Sequence, residues 1–391
     1  MTAQQILSQL VSFPVLGSQS NLSILRWIES YLQQHGVEYQ LVPNAAGDKA
    51  SLHCRIGPAV DGGVILSGHM DVVPVEGQAW DTDPFVLTEK EGKLYGRGSC
   101  DMKGFLACCL AVLPEMLAAD LPKPIYFAFS YDEEVGCLAG PELAAHIRTT
   151  YGEKPAYALI GEPSEMQPIV GQKGICIYNT RVNGSAGHSS RIRQEVSAIH
   201  EAARLVLWLE NKMHQLAESR QDHRFEPPHT SIHCGVLKGG IAPNVIADHC
   251  EFSWDVRVIP ADGVEEIRAE FETHCRARER ELRKVFPDFA ITTEEWHPPV
   301  PPLDTPEDWP VVEWIQNLSG NPALGAVSYA AEAGQFAQEG FPSVICGPGS
   351  INQAHRANEF ISIEQLEKGE AMIRRLVEEL CGSKEEPESA K

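Results

Sequence analysis

A chain of 391 residues is long for one hydrophobic core and comfortable for two domains. With 43% hydrophobic and 22% charged residues it has the balance of an ordinary globular enzyme, and a formal net charge of −22 argues against nucleic-acid backbones and anionic membranes as partners. Its 11 cysteines, scattered and without a Cys-x-x-Cys pair, point to reduced thiols in a cytoplasmic protein, and they exclude a disulfide framework or a cysteine-rich zinc knuckle.

Along the chain, Thr2–His35 has helical periodicity, with Ile6, Leu7, Leu10, Leu25, Ile28 and Leu32 on the apolar face. Its first ten residues have neither the basic start nor the apolar stretch of a secretory leader. Short apolar runs then end in polar residues. Val64–Leu66 leads to Gly68-His69-Met70-Asp71, Ile125–Phe129 to Asp132-Glu133-Glu134, and Tyr157–Ile160 to Gly161-Glu162. Near the far end, Val344-Ile345 leads through Gly347-Pro348-Gly349 to His355. Helical segments at Lys103–Met116 and Pro141–Arg148 lie between them, so the outer part of the chain reads as an α/β sheet with helices on both faces. Phe105–Leu113, the longest apolar run, is far short of the roughly 20 residues needed to span a membrane.

The middle of the chain has a different order. Strands are expected at Ile175–Val182, Thr230–Leu237, Glu251–Val258 and Phe289–Glu294, with helices at Glu195–Glu218 and Val264–Val285. That β-α-β-β-α-β order is a compact unit with its helices on one face. The run Pro298-Pro299-Val300-Pro301-Pro302 ends it. An inserted domain is therefore expected at 173–297, with the outer domain built from 1–172 and 298–391. The last residues, Ser383–Lys391, read as a polar, frayed tail.

Five residues of the outer part are candidate metal ligands: His69, Asp101, Glu134, Glu162 and His355. His69, Glu134 and Glu162 each follow an expected strand, and ligands of open α/β sheets gather beyond the carboxyl ends of strands. Asp101 sits where Gly96-Arg97-Gly98 gives way to a helix. Two imidazoles and three carboxylates suit zinc, with cobalt or manganese as substitutes, and one bridging carboxylate would accommodate two ions. Taken one at a time, each has an ordinary explanation as a helix cap, an acidic turn or a solvated loop residue. No G-x-S-x-G elbow offers a serine hydrolase.

Taken together, Gly68-His69-Met70-Asp71-Val72-Val73-Pro74, Gly96-Arg97-Gly98-Ser99-Cys100-Asp101-Met102-Lys103-Gly104, Asp132-Glu133-Glu134-Val135-Gly136 and Gly161-Glu162-Pro163 resemble one family. It is the di-zinc amidohydrolases, which include aminoacylases, succinyl-diaminopimelate desuccinylases, carboxypeptidases and acetylornithine deacetylases. The resemblance covers nearly the whole chain. It implies a zinc-exopeptidase-like catalytic domain carrying an inserted ferredoxin-like lid or dimerisation domain. Two Zn2+ per chain are implied, with Co2+ able to substitute: His69 and Glu162 on one ion, Glu134 and His355 on the other, and Asp101 on both.

Asp71 would then orient His69, and Glu133 would shuttle the proton. By the same resemblance, Gly187-His188-Ser189-Ser190 offers His188 as an oxyanion donor reaching the site of a homodimer partner, while Asn244 and Arg257 anchor the substrate's acyl and carboxylate ends. The Asp101-Met102 peptide is expected to be cis. Ala331-Glu332-Ala333-Gly334 and Gln353-Ala354-His355 lean towards an N-acyl amino acid with a cationic side chain, N2-acetyl-L-ornithine first, on the route to arginine. Glu332 would face that cation or, as readily, serve as a buried helix cap. Desuccinylation, acetylcitrulline deacetylation and a broader aminoacylase are the alternatives, and a ligand-binding relative without turnover is the alternative of another class.

Overall fold

The computed structural model describes residues 1–17 and 19–382; the expected tail at Ser383–Lys391 lies outside them. The chain divides into two compact units. The first comprises Met1–Val170, Leu303–Gly325 and Ala331–Lys391, and the second comprises Gly171–Pro302 and Ala326–Ala330.

The first unit opens with two helices, α1 (Ala3–Val11) and α2 (Leu22–Gln34), where one continuous periodicity was expected. Pro14 and Gly17 fall in the interruption, and Leu16 forms a β-bridge with Val72 there. Thr2 starts α1 with a capping box closed by Gln5. Strands β1 (Tyr39–Pro43), β2 (Ala50–Ile56) and β3 (Val64–His69) follow, then the short pair β4 (Thr88–Lys90) and β5 (Lys93–Tyr95). Next come α3 (Lys103–Ala118), β6 (Ile125–Ser130), α4 (Gly140–Thr150) and β7 (Tyr157–Pro163).

The main sheet runs β1, β2, β6, β3, β7 and then the strand Ser343–Gly347. The β6–β3, β3–β7 and β7–Ser343–Gly347 pairings are parallel, and those of β1 and β2 are antiparallel. The parallel strands are buried on both faces, so they read in sequence as unbroken apolar runs. On β2 the pleat separates two environments. Leu52, Cys54 and Ile56 join the core that contains α3, whereas His53 faces α4 and meets His146 at 2.8 Å. Helix α3 is buried nearly all round, in one cluster with α1 and the long helix Ile363–Gly382.

The second unit is built on an antiparallel sheet in the order Ser231–Gly239, His249–Val258, Gly174–Asn183, Ala290–Glu295. Alternate residues Cys250, Phe252, Trp254, Val256 and Val258 point into one core with Leu205, Leu209, Ile267 and Phe271 from the helices Ala198–Ser219 and Val264–Leu282. That is the period-2 signature of a sheet with one face covered. Among the described residues all 11 cysteines are free, nine of them buried.

Candidate metal centre

Parallel strands held in register end at the same edge of a sheet, and the polar residues that follow them are gathered there. His69 closes β3, Glu162 lies near the end of β7, and Glu133 and Glu134 follow the end of β6. His355 follows the strand Ser343–Gly347, through a short 3-10 turn. Asp101 arrives from the side, between Gly98 at φ +79 and the start of α3, and its peptide to Met102 is cis. Close packing sets these positions. A Cβ on Gly161, next to Glu162, would lie 2.0 Å from the Phe105 ring, so only glycine lets β7 approach α3 there.

Asp101 stands between two imidazoles. Its Oδ1 is 3.2 Å from His69 Nε2 and its Oδ2 is 3.4 Å from His355 Nε2. His69 Nε2 also lies 3.7 Å from Glu162 Oε1 and 4.0 Å from Glu133 Oε2, and His355 Nε2 lies 2.9 Å from Glu134 Oε2. His69, Asp101 and Glu162 are buried, while the His355 side chain is 56% exposed and held at φ +63. One face of the group therefore opens to solvent. The donor atoms form two overlapping sets, His69–Glu133–Glu162 and His69–Asp101–Glu134, each within 4.8 Å of one another.

The charges explain what such a group wants. Burial, with repulsion from neighbouring carboxylates, pushes Glu133 and Glu162 well up and Glu134 up to about 7. Hydrogen bonds to Asp101 and Glu134 push His355 up to about 10, and bonds to Asp101 and Asp71 raise His69 well above its ordinary value against the cost of burial. Asp101 moves the other way, because its two histidine partners outweigh burial. The cluster thus retains protons to offset a negative charge too large for its setting. Divalent cations would take over that task and displace the protons. The N/O donor set and its spacing fit zinc or a similar ion.

The surrounding residues fix the donors. Asp71 is buried, and its Oδ1 and Oδ2 accept the amides of Glu133 and Glu134, each at 3.2 Å. His69 Nδ1 bonds the Asp71 carbonyl at 2.9 Å, with the Asp71 carboxylate 3.6 Å away. Asp71 thus holds the imidazole mainly through its backbone and the two glutamates through its side chain. The turn before them is clamped as well. Asp132, at φ +57, takes Lys49 Nζ on both oxygens at 2.6 and 2.8 Å, and Lys49 also bonds the Gly17 carbonyl. Cys137 Sγ–H points to Glu133 Oε1 at 3.3 Å, and Gln335 donates to the Cys137 carbonyl at 2.9 Å.

Glu332 lies behind this turn and not on an open surface. It is 1% exposed, its Oε2 accepts the Ser130 hydroxyl at 2.9 Å, and its Oε1 has no partner in the structure. In this conformation a substrate cation does not reach it from solvent. His188, Asn244 and Arg257 belong to the second unit. His188 and Asn244 are neighbours on a short ribbon where Gly187–His188 pairs with Val245–Ile246 and the Ser189 amide donates to the Asn244 carbonyl at 3.0 Å. The His188 side chain is exposed, its Nδ1 2.9 Å from the Ser190 hydroxyl. Arg257, on the strand His249–Val258, donates to the Ser328 carbonyl at 3.2 Å.

Sequence reasoning left Lys49, Gln78, Cys137 and Glu359 without a role. Each sits in contact with these loops through pairings that no local spacing displays.

A family model described as peptidase family M20/M25/M40 matches residues 65–379. The acetylornithine deacetylase of Photorhabdus laumondii is 32% identical over 388 residues, covering 96% of this chain and 97% of its own. That of Yersinia pseudotuberculosis is 34% identical over 375 residues, covering 94% and 92%. Among solved structures, an M20 family metallo-carboxypeptidase from Sulfolobus solfataricus superposes with a TM-score of 0.77 at 16% identity, over 97% of this chain and 99% of that one.

Proposed function

The chain belongs to peptidase family M20/M25/M40, and from that premise we propose that it is a metal-dependent amidohydrolase that cleaves N2-acetyl-L-ornithine to L-ornithine and acetate. The observation that carries the chemistry is the Asp101 carboxylate lying between His69 and His355 with Glu133 beside them. The substrate rests on the acetylornithine deacetylases, which align over nearly the full length of the chain.

Two zinc ions, with cobalt as a substitute, would be held by His69 and Glu162 on one side, Glu134 and His355 on the other, and Asp101 between. When bound, they supply Lewis acidity towards the acyl carbonyl and lower the pKa of water at the site. Glu133 accepts a proton from the attacking water and passes it to the amine nitrogen as the amide C–N bond breaks. Burial and neighbouring carboxylates, which raise its proton affinity, suit it to that exchange. Asp71 keeps Glu133 aimed through the amide it accepts. Arg257 and Asn244 would bind the substrate's carboxylate and acyl ends, Arg257 by a bidentate contact, and His188 of the partner subunit would donate to the oxyanion. That last role makes the second unit the lid and the homodimer contact. Free thiols throughout the chain support work in a reducing cytoplasm; no described helix is long and apolar enough to cross a membrane. The product places the reaction on a route to arginine.

Chelation should abolish acetylornithine hydrolysis and added zinc or cobalt should restore it, with succinyl-diaminopimelate turned over far more slowly. Full activity in metal-free protein, or none on acetylornithine at two bound ions per chain, would reject the proposal.

A further inference from the structure

Gln78, Arg97 and Glu359 have no part in the scheme above, yet they form one continuous polar network beside it. Glu359 is buried, with all its acceptor capacity turned on a single segment. Its Oε2 accepts Arg97 Nη1 at 2.7 Å and the Gly98 amide at 3.0 Å, and its Oε1 accepts the amides of Cys100 at 2.9 Å and Asp101 at 3.1 Å. Every one of these donors lies in the loop that delivers Asp101. Arg97, equally buried, turns its Nη2 to Gln78 Oε1 at 2.6 Å, with its guanidinium 5.1 Å from the Trp80 ring. Gln78 completes the path by donating its Nε2 to the His355 carbonyl at 2.9 Å. His355 needs such a hold, because a residue with a Cβ at φ +63 reverts to commoner conformations unless its neighbours fix it.

We infer that Gln78, Arg97 and Glu359 are positioning residues that together set the distance between the Asp101 carboxylate and the His355 imidazole. These two groups come from loops far apart in the sequence, and the geometry of a metal centre tolerates errors of only about 0.5 Å. A chain of hydrogen bonds, charge-assisted at every step but the neutral Gln78–His355 one, runs from the backbone of one ligand to the backbone of the other and supplies that precision. The His355 carbonyl itself takes its hydrogen bond from Gln78, and Arg97 Nη1 also reaches the neighbouring Arg356 carbonyl at 3.3 Å, so the ion shared by Asp101, Glu134 and His355 depends first on Gln78. The ion at His69 and Glu162 does not. The inference rests on the metal-centre reading above.

The test is calorimetric titration of zinc into the chelator-stripped full chain. Wild type should take up two ions. Gln78→Met, at a half-buried surface position, should weaken one of them by about 10–100-fold, leaving the other and the metal-free Tm unchanged. Gln78→Glu, which keeps the acceptor for Arg97 but loses the donor to His355, should give the same selective loss. Equal weakening of both ions together with a lower metal-free Tm would make the network merely structural and overturn the inference, as would unchanged binding of both ions. A wild type that binds no zinc would overturn the metal-centre reading itself, and this inference with it.

Discussion

In the first unit His69, Asp71, Asp101, Glu162, Glu332 and Glu359 are all buried, whereas the helix Val264–Leu282 of the second unit carries most of its charges outward, in pairs such as Arg268–Glu272 and Arg276–Glu272. The core beneath that helix is apolar and aromatic, with Tyr178 and Trp254 stacked at 4.4 Å. Buried carboxylates cost free energy unless they are paired, protonated or bound to a cation. The first unit has gathered several of them at one end of its parallel strands, whereas the second unit buries two, Glu201 and Asp262, each already paired with arginine. Electrostatic cost concentrated in one region marks where a ligand is expected to repay it; a region of solvated i,i+4 pairs is scaffold.

The sharpest way to break this contrast is at Glu133. Glu133→Ala should lower kcat by about 10²–10⁴-fold while the chain keeps its metal content, if the group transfers the proton as proposed. Metal analysis beside steady-state kinetics checks this. Loss of an ion with that substitution would turn Glu133 into a ligand.

A middle-sized effect is expected at Glu332, which burial pushes up to about 7 from 4.5. The folded chain keeps this proton between those two values, where the unfolded chain releases it. Its contribution to stability is therefore complete below about pH 4.5 and is lost as the pH rises through about 7. Glu332→Gln cannot lose a proton, so relative to wild type it should gain up to about 3 kcal/mol between pH 4.5 and pH 8. Urea unfolding of the chelated proteins at several pH values measures that difference, and a gap that does not change with pH would mean Glu332 stays ionised.

The smallest effect belongs to the second unit's surface. Arg276→Ala removes an exposed pair with Glu272 and should cost no more than about 0.5 kcal/mol. A loss of several kcal/mol would show that the outward charges of this unit carry more than solubility.

The α/β fold was legible in the sequence because parallel strands buried on both faces leave continuous apolar runs, as at Val64–Leu66 and Ile125–Phe129. The family was legible because its motifs sit at the ends of those runs. The break between α1 and α2 was harder to read, since Ile6 to Leu32 keep one apolar face across it and only Pro14 and Gly17 signal the interruption. The three-stranded sheet of β4, β5 and Phe360–Ser362 left no pattern, its strands being three residues each. Glu332 was read either as a carboxylate that meets a cation or as a buried helix cap, and it is buried at the start of the helix Ala333–Gln338. What sequence could not display was that Ser130, at the end of β6, lies against it. The same holds for Glu359, whose spacing from Asp101 along the chain says nothing of the amides it collects.

The first unit is written in three pieces, with most of the second unit between the first and second of them and its short Ala326–Ala330 piece between the second and third. On a ribosome, β3, β6 and β7 emerge early, but the strand Ser343–Gly347 that pairs with β7 comes on the order of ten to thirty seconds later at about 5–20 residues per second. The intervening 171–302 segment has its own core and can fold while the earlier strands wait with an open sheet edge. His355 and Glu359 come later still. A chain cut short before them has most of its helices and strands yet lacks both the imidazole and the carboxylate that organises the Asp101 loop. In such products the edge of β7 stays unpaired, which makes them targets for chaperones and proteases until the last strand arrives.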